Sequence, residues 1–467
     1  MRTLIPRDDF VVEPVKPLPR PRRPVPPALR LVLGLAMLVV LGTLILMLPI
    51  CSTGEPLALN EALFTATSAL SVTGLSIITP VHDLSLTGQV VLLGLIQIGG
   101  VGFMVVTVVI LRLLGRKISL LDRLTLSDSL GLLVPGAILK LTRRILLTVL
   151  MIEGGGALLL FLHWRGDPRL SVSQAALYAI FHAVSAFCNA GFDLFSGTPG
   201  FPDGIPRDNF SLIVLGGLIF LGGLGIPVLA DLLLYYRERR LSLHTRITLT
   251  VVGFLVISGT VGFFIAEGRA GVGTLRDEPL GRLLLISLFQ SISARTAGFA
   301  GIAAFSDLTP PSQLLMITLM FIGCPPASMG GGITTGTFAV LTVSLWGFVR
   351  GLPTPRFGGR SLAAGTARRA AAVLTISLFV VLLATWLILI THDGVSLDTA
   401  AFEVVSAFAT CGLSLNFTSQ LNLFGQMVIV LVMFWGRLGA LTIVIALAQQ
   451  PGRPQQITYP EEQILIG

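Results

Sequence analysis

Apolar and polar positions along this chain come in blocks. Eight blocks are dominated by apolar residues, at 29–50, 88–111, 142–162, 210–236, 246–266, 312–349, 370–391 and 421–448. A helix crossing ~30 Å of hydrocarbon needs about 20 such residues, so each block is predicted to span a membrane. Between the two members of each pair lies a shorter run patterned for a helix but too short to span: 59–70, 173–187, 280–293 and 398–408. Asn60, Ser173 and Asp398 are the expected N-caps of three of these.

Each short run ends in a version of one motif. It reads FTATSALSVTGL at 64–75, FHAVSAFCNAGF at 181–192, FQSISARTAGF at 289–299 and FEVVSAFATCGL at 402–413. The closing glycines, Gly74, Gly191, Gly298 and Gly412, are spaced by 117, 107 and 114 residues, so each unit is long enough to be a small fold of its own. The third copy reaches its glycine one residue sooner, and its strand is expected to differ in detail. Four tandem helix, pore-loop, helix repeats follow, at 29–111, 142–236, 246–349 and 370–448, flanked by tails at 1–28 and 449–467. The fold class is therefore an all-α integral membrane protein with eight spanning helices.

Composition agrees: 53% of residues are hydrophobic, 12% are charged and the mean hydropathy is +0.87. The net charge of +8 changes the picture only through its placement. Of the 32 Lys and Arg, 24 fall in the two tails and the three connections between units. The positive-inside rule then puts both termini in the cytoplasm of a cell whose plasma membrane the chain spans, with the motifs entering from outside. It explains the Pro- and Arg-rich first 28 residues without nucleic acid as a partner.

A short helix followed by a Gly-bearing strand at membrane depth is a re-entrant pore loop, which must line a watery cavity or be buried. The strands Val72-Thr73-Gly74, Asn189-Ala190-Gly191, Thr296-Ala297-Gly298 and Thr410-Cys411-Gly412 share little side-chain chemistry, so what they can share is backbone. Four such strands around an axis would offer rings of carbonyl oxygens able to replace a cation's hydration shell. Tight helix packing is the other use of such glycines. Two further features suggest a gate. The 312–349 block is too long for the bilayer, and its middle, 323–338, carries Pro325, Pro326, Gly330, Gly331, Gly332, Thr334 and Thr335, so it should unwind into a loop; an ordinary kink is the alternative. Arg437 lies in the last apolar block, where a charge either faces a cavity or snorkels to the surface. Arg295 is expected to brace a carbonyl or carboxylate, Glu61 and Glu403 to cap or brace, and His182 to pack in its pore helix. Glu153 is a lone carboxylate. Cys51, Cys188, Cys324 and Cys411 show neither metal-ligand nor disulfide spacing.

These motifs, over nearly the whole chain after the tail, resemble the Trk/Ktr/HKT potassium transporters, and within them the ion-translocating subunit of Ktr systems, whose ending YPEEQILIG resembles. The resemblance implies a pseudo-fourfold, potassium-channel-like pore with one filter glycine per repeat. It also implies gating by the 323–338 loop and by Arg437, and K⁺ as transported ion with Na⁺ as a candidate activator or co-ion. A homodimer in membrane lipid, resting on a ring of cytoplasmic nucleotide-binding subunits, completes what it implies. Sodium-preferring members have Ser where this chain has Gly74, so Gly74 resembles the potassium-selective pattern. A Na⁺-permeable member of the family and an ion-coupled symporter are the alternatives. No convergent catalytic site and no organic cofactor motif is visible, so an enzyme is not expected.

Overall fold

The computed structural model describes residues 27–102, 138–269, 272–326, 328–352, 354–357, 360–362 and 364–439. Around the first motif stand α1 (Pro27–Leu46), α2 (Leu59–Ser71) and α3 (Leu86–Val101). The second has α4 (Ile138–Trp164), α5 (Val172–Phe187) and α6 (Asn209–Leu224), followed after a 99° bend by α7 (Ile226–Glu238). The third has α8 (Leu243–Glu267), α9 (Leu280–Ser293) and α10 (Pro310–Phe321), then a loop and α11 (Thr335–Val349). The fourth has α12 (Ala364–Thr391), α13 (Leu397–Phe408) and α14 (Leu423–Leu438). The strands among the described residues are one two-residue antiparallel pair, Arg356–Phe357 with Arg360–Ser361.

The short helices α2, α5, α9 and α13 form the centre. Their motif phenylalanines, Phe64, Phe181, Phe289 and Phe402, are all fully buried. Each short helix packs on the first long helix of its own copy and on the long helix of the copy before it, and α2, α5 and α13 pack on the second long helix of their own copy as well. Thus α3 meets α5, α6 meets α9, α10 meets α13, and α14 returns to α2. The last pair closes the chain into a ring. The outer helices α1, α4, α8 and α12 turn large apolar side chains outward, among them Met37, Leu44, Met151, Leu158, Ile257, Ile265, Phe379 and Leu382. A body apolar on its outside as well as in its core is dressed for lipid. These four helices are long and apolar enough to cross a membrane, and the bent α6–α7 pair makes a fifth candidate.

Two expectations need correcting. The caps are not Asn60, Ser173 and Asp398, which already lie in the first turn. Ser171 and Ser396 accept from the amides of Gln174 and Thr399, and Glu61 reaches back to the Ala58 amide at 3.0 Å. A short hydroxyl reaches the amide three residues on only from just outside the helix. Nor is 312–349 alone in breaking. The segments 98–102, 221–225 and 435–439 read IGGVG, LGGLG and WGRLG, and the final glycine of each ends its helix at positive φ: Gly102 (+91°), Gly225 (+85°) and Gly439 (+79°). In the expected spans 88–111 and 421–448 the helices therefore end at Gly102 and Gly439, and the later parts of both spans, like the tails 1–26 and 449–467, lie outside the described residues.

Candidate functional site

The motif strands meet at the centre of the ring. A methyl group added at Gly74 would strike the carbonyl oxygen of Ala190, at Gly191 that of Ala297, at Gly298 that of Cys411, and at Gly412 that of Thr73. The same four methyls would stand 2.9, 3.3, 3.1 and 3.2 Å from the Cα atoms of Gly191, Gly298, Gly412 and Gly74. Each glycine thus seats the backbone of the next strand, and the fourth hands back to the first. All four have positive φ, between +69° and +93°, which leaves side chains no room on either count.

Local sequence explains how each strand is reached. In copies one, two and four the pore helix ends in a Schellman turn. Val72, Asn189 and Thr410 take left-handed φ (59°, 59° and 49°), and the next amide returns to a serine carbonyl: Thr73 to Ser68 at 2.8 Å, Ala190 to Ser185 at 2.7 Å and Cys411 to Ser406 at 2.8 Å. In copy three, one residue shorter, Thr296 and Ala297 both donate to the Ser293 carbonyl, at 3.1 and 2.8 Å, with no left-handed residue.

The hydroxyls of these serines brace the strands, a role the sequence reading missed. Ser68 and Ser406 Oγ accept from the amides of Gly74 and Gly412, both at 3.0 Å. Ser185 and Ser293 Oγ donate to the carbonyls of Phe192 and Phe299, at 2.9 and 2.6 Å. The signal was present, since a serine stands four residues after the motif phenylalanine in all four copies.

Strand side chains are engaged elsewhere. Cys411 Sγ donates to the Ala294 carbonyl at 3.3 Å. With its carboxamide oriented to satisfy both ends, Asn189 donates to the Ile219 carbonyl and accepts from the Gly223 amide, each at 3.1 Å. Thr73 Oγ1 pairs with Ser71 Oγ at 2.7 Å. Val72, Ala190 and Ala297 are buried in the core. The hydroxyls of Thr296 and Thr410, fully buried, have no partner.

Both threonines face the loop between α10 and α11. A methyl at Gly330 would meet Thr296 Cβ at 2.8 Å, and one at Gly331 would meet Thr410 Oγ1 at 2.7 Å; Gly332 has φ +78°. The loop is folded on itself: the Cys324 amide donates to Gly331 O at 3.4 Å, Ile333 to Phe321 O at 3.2 Å and Thr335 to Cys324 O at 3.1 Å. Thr334 caps α11, accepting from the Thr337 amide at 3.3 Å, and Thr335 is buried with its hydroxyl unpartnered. So the described residues of 323–334 form a loop packed against the third and fourth strands, while 335–338 begins α11.

Arg437 joins that loop to the other side of the ring. Its Nη1 donates to Met329 O at 2.5 Å and its Nη2 to Gly99 O at the end of α3. Two backbone carbonyls on opposite copies therefore hold a partly buried guanidinium. The GG-x-G comparison shows what is special about it, because Arg437 occupies the place of Gly100 and Gly223. Next to it, Gly99, Gly222 and Gly436 let their helices touch the last pore-helix carbonyls, of Leu70, Phe187 and Phe408. Arg295 is buried and donates to the Gly323 carbonyl at 3.3 Å, a brace as expected. Glu153 is buried against Gln97 Nε2 (3.1 Å) and Cys188 Sγ (3.7 Å), behind the second strand. His182 is more than a packing residue, since Nε2 lies 2.8 Å from Asp193 Oδ1. All four cysteines are buried and free.

Short helices converging on a closed ring of glycine backbones, walled by outward-apolar helices, define a class: a helical membrane protein built around a central axis. Residues 31–454 match the TrkH family of cation transport proteins, and the chain belongs to that family. It is 36% identical to Ktr system potassium uptake protein B of Vibrio alginolyticus, over 91% of this chain and 92% of that protein. It is 33% identical to the potassium/sodium uptake protein NtpJ of Enterococcus hirae, over 96% and 99%. The crystal structure of the potassium transporter TrkH from Vibrio parahaemolyticus shares its fold, with a TM-score of 0.68 at 19% identity, covering 90% of this chain and 84% of that one.

Proposed function

We propose that this chain takes up K⁺ across the plasma membrane through a selectivity filter made of the backbones of 72–74, 189–191, 296–298 and 410–412. The observation that carries the reading is the cyclic seating of each glycine on the next strand, which leaves carbonyls as the groups common to all four strands. A K⁺ ion sheds water in exchange for those oxygens. The pore helices end at the ring, and the negative ends of their dipoles favour a cation beneath it.

The loop 323–334 acts as the gate, closed where Gly330 and Gly331 lie under Thr296 and Thr410. Arg437 latches it through Met329 and adds a fixed positive charge to the path. Opening requires that hydrogen bond to break and the loop to move aside. Two copies of the chain in the bacterial inner membrane, on a ring of cytoplasmic nucleotide-binding subunits, would supply the force, with both termini facing that ring. Relatives named as Ktr system members support a partner of this kind. A second reading, permeation of Na⁺ as well, is favoured by the relative named for both ions.

The test is K⁺ uptake at low external K⁺ by cells lacking their own uptake systems, expressing this chain with a Ktr-type partner, for wild type and Gly74→Ser. Restored uptake that loses its preference for K⁺ over Na⁺ in Gly74→Ser is the expected result. Unchanged selectivity in the variant would make the ring a packing feature.

A further inference from the structure

The residue directly after the motif phenylalanine is Thr65, His182, Gln290 and Glu403 in the four copies. In three of them this side chain ties the pore helix to the chain eleven residues on, just past the ring glycine. His182 Nε2 lies 2.8 Å from Asp193 Oδ1, and Asp193 in turn accepts from the Phe195 amide and Ser196 Oγ, both at 2.7 Å. Gln290 Oε1 accepts from the Gly301 amide at 3.0 Å. Glu403 Oε2 accepts from Ser414 Oγ at 2.7 Å, while its Oε1 accepts from Thr418 Oγ1. Three chemically different side chains make one connection at one sequence offset, and all three are fully buried. In the first copy the fully buried Thr65 is too short to make it, and its hydroxyl has no partner. The residue eleven further on, Ser76, turns instead to the Ile78 carbonyl at 2.7 Å.

We infer that His182, Gln290 and Glu403 are positioning residues that hold the outer ends of the second, third and fourth filter strands, and that the first strand is the one left compliant. The inference rests on the ring being the selectivity filter. The serine four residues after each phenylalanine fixes the strand at its ring glycine or the residue next to it, and the residue one after the phenylalanine fixes the chain further out. A strand held at both ends keeps its carbonyls at a set distance from the axis, so an ion that fits less well cannot draw them inward. In the first quadrant only the Ser68 half of that arrangement is present, since Thr65 makes no outer bond.

The measurement is the ratio of K⁺ to Na⁺ uptake by the full transporter in cells lacking their own systems. Being a ratio, it is insensitive to how much protein reaches the membrane. Gln290→Leu and Glu403→Leu are expected to lower it roughly five- to ten-fold, the scale of one lost buried hydrogen bond. Glu403→Gln keeps one acceptor oxygen and should fall between Glu403→Leu and wild type, whereas Thr65→Val should stay within about two-fold of wild type because no partner is lost. His182→Asn, too short to reach Asp193, gives a third reading if either leucine variant fails to fold. Wild-type ratios in the leucine and His182→Asn variants, Glu403→Gln as impaired as Glu403→Leu, or a Thr65→Val change as large as theirs would overturn the inference. A wild type that takes up no K⁺ would overturn the transport reading instead.

Discussion

In the first, second and fourth copies the chain leaves its pore helix through a left-handed residue, whereas in the third it leaves through Arg295 and Thr296 with ordinary backbone. The third copy also differs further on. Its second long helix opens into the 323–334 loop, while α3, α6 and α14 end at a single glycine. The two departures touch each other, since Arg295 donates to the Gly323 carbonyl at the start of the loop and Thr296 faces Gly330. One quadrant has been rebuilt to hold a loop under the ring, and the other three keep the turn that best satisfies a helix end. The lesson is that the repeat conserves the backbone meeting point and lets one copy change what lies beneath it.

The comparison breaks most severely at the ring itself. If the third copy differs only below the ring, Gly298→Ala should be as damaging as Gly412→Ala. In each, the added methyl meets the neighbouring strand's backbone at positive φ, and strain of this kind should lower K⁺ uptake by on the order of 100-fold. Uptake kinetics of both variants would check this. A mild Gly298→Ala would mean that the third strand stands outside the ring.

Next in size is the link between copies. The loop of the third copy is held by Arg437 of the fourth, and charge-assisted bonds of this type are worth about 1.5–3 kcal/mol. Arg437→Gln should therefore raise K⁺ flux about ten-fold when the partner subunit is absent. Arg437→Lys, a point charge without the fork, should fall in between. Flux measured in vesicles decides, and a fall in Arg437→Gln would show that the arginine opens the path instead of latching it.

Much of this was legible in the sequence. The four short helices, the ring glycines and the broken 312–349 block all announced themselves, because apolar blocks and repeated motifs follow directly from burial and from φ > 0. The other helix breaks were equally written in IGGVG, LGGLG and WGRLG, but small residues in an apolar run read as packing until one sees the last glycine of each end its helix. Which copy Arg437 would reach was not legible: Gly99 and Met329 are 338 and 108 residues away, and sequence pattern carries no information on such contacts. The bracing serines were overlooked because a buried serine in a helix has several local partners to choose from.

Those serines give a smaller, sharper prediction. Ser68 and Ser406 accept from a ring amide, whereas Ser185 and Ser293 donate to a carbonyl. An amide with its acceptor removed is an orphan, while a carbonyl retains a second lone pair and finds other donors more easily. Ser68→Ala and Ser406→Ala should each cost about 1–3 kcal/mol, and Ser185→Ala and Ser293→Ala about 1 kcal/mol, in thermal unfolding of the purified protein. This divides the copies two and two instead of three and one. Equal costs would mean that the hydroxyl's role does not depend on which way it bonds.

The smallest effect is expected at the edge of the second copy, in the turn between α4 and α5. Arg169 donates to Asp167 through Nε (2.9 Å) and Nη2 (2.7 Å), reaches the Gly200 carbonyl at 3.1 Å and lies 3.9 Å over the Phe201 ring. The bonded guanidinium holds the Asp167 carboxyl below its ordinary value. A depressed carboxyl stabilises the fold above the unfolded value, near 4, and that contribution is lost as pH falls through the folded one. Half of the arginine side chain is exposed, so solvent screens the pair, and Arg169→Gln should cost a few tenths of a kcal/mol at neutral pH. The difference from wild type should shrink below pH ~4 and in high salt, as thermal midpoints across pH would show. Because Arg169 bonds to Asp167 and Gly200 and not to the strand 189–191, K⁺ uptake should not follow it, and a change in selectivity in Arg169→Gln would mean that the outer turn of this copy is mechanically joined to the ring.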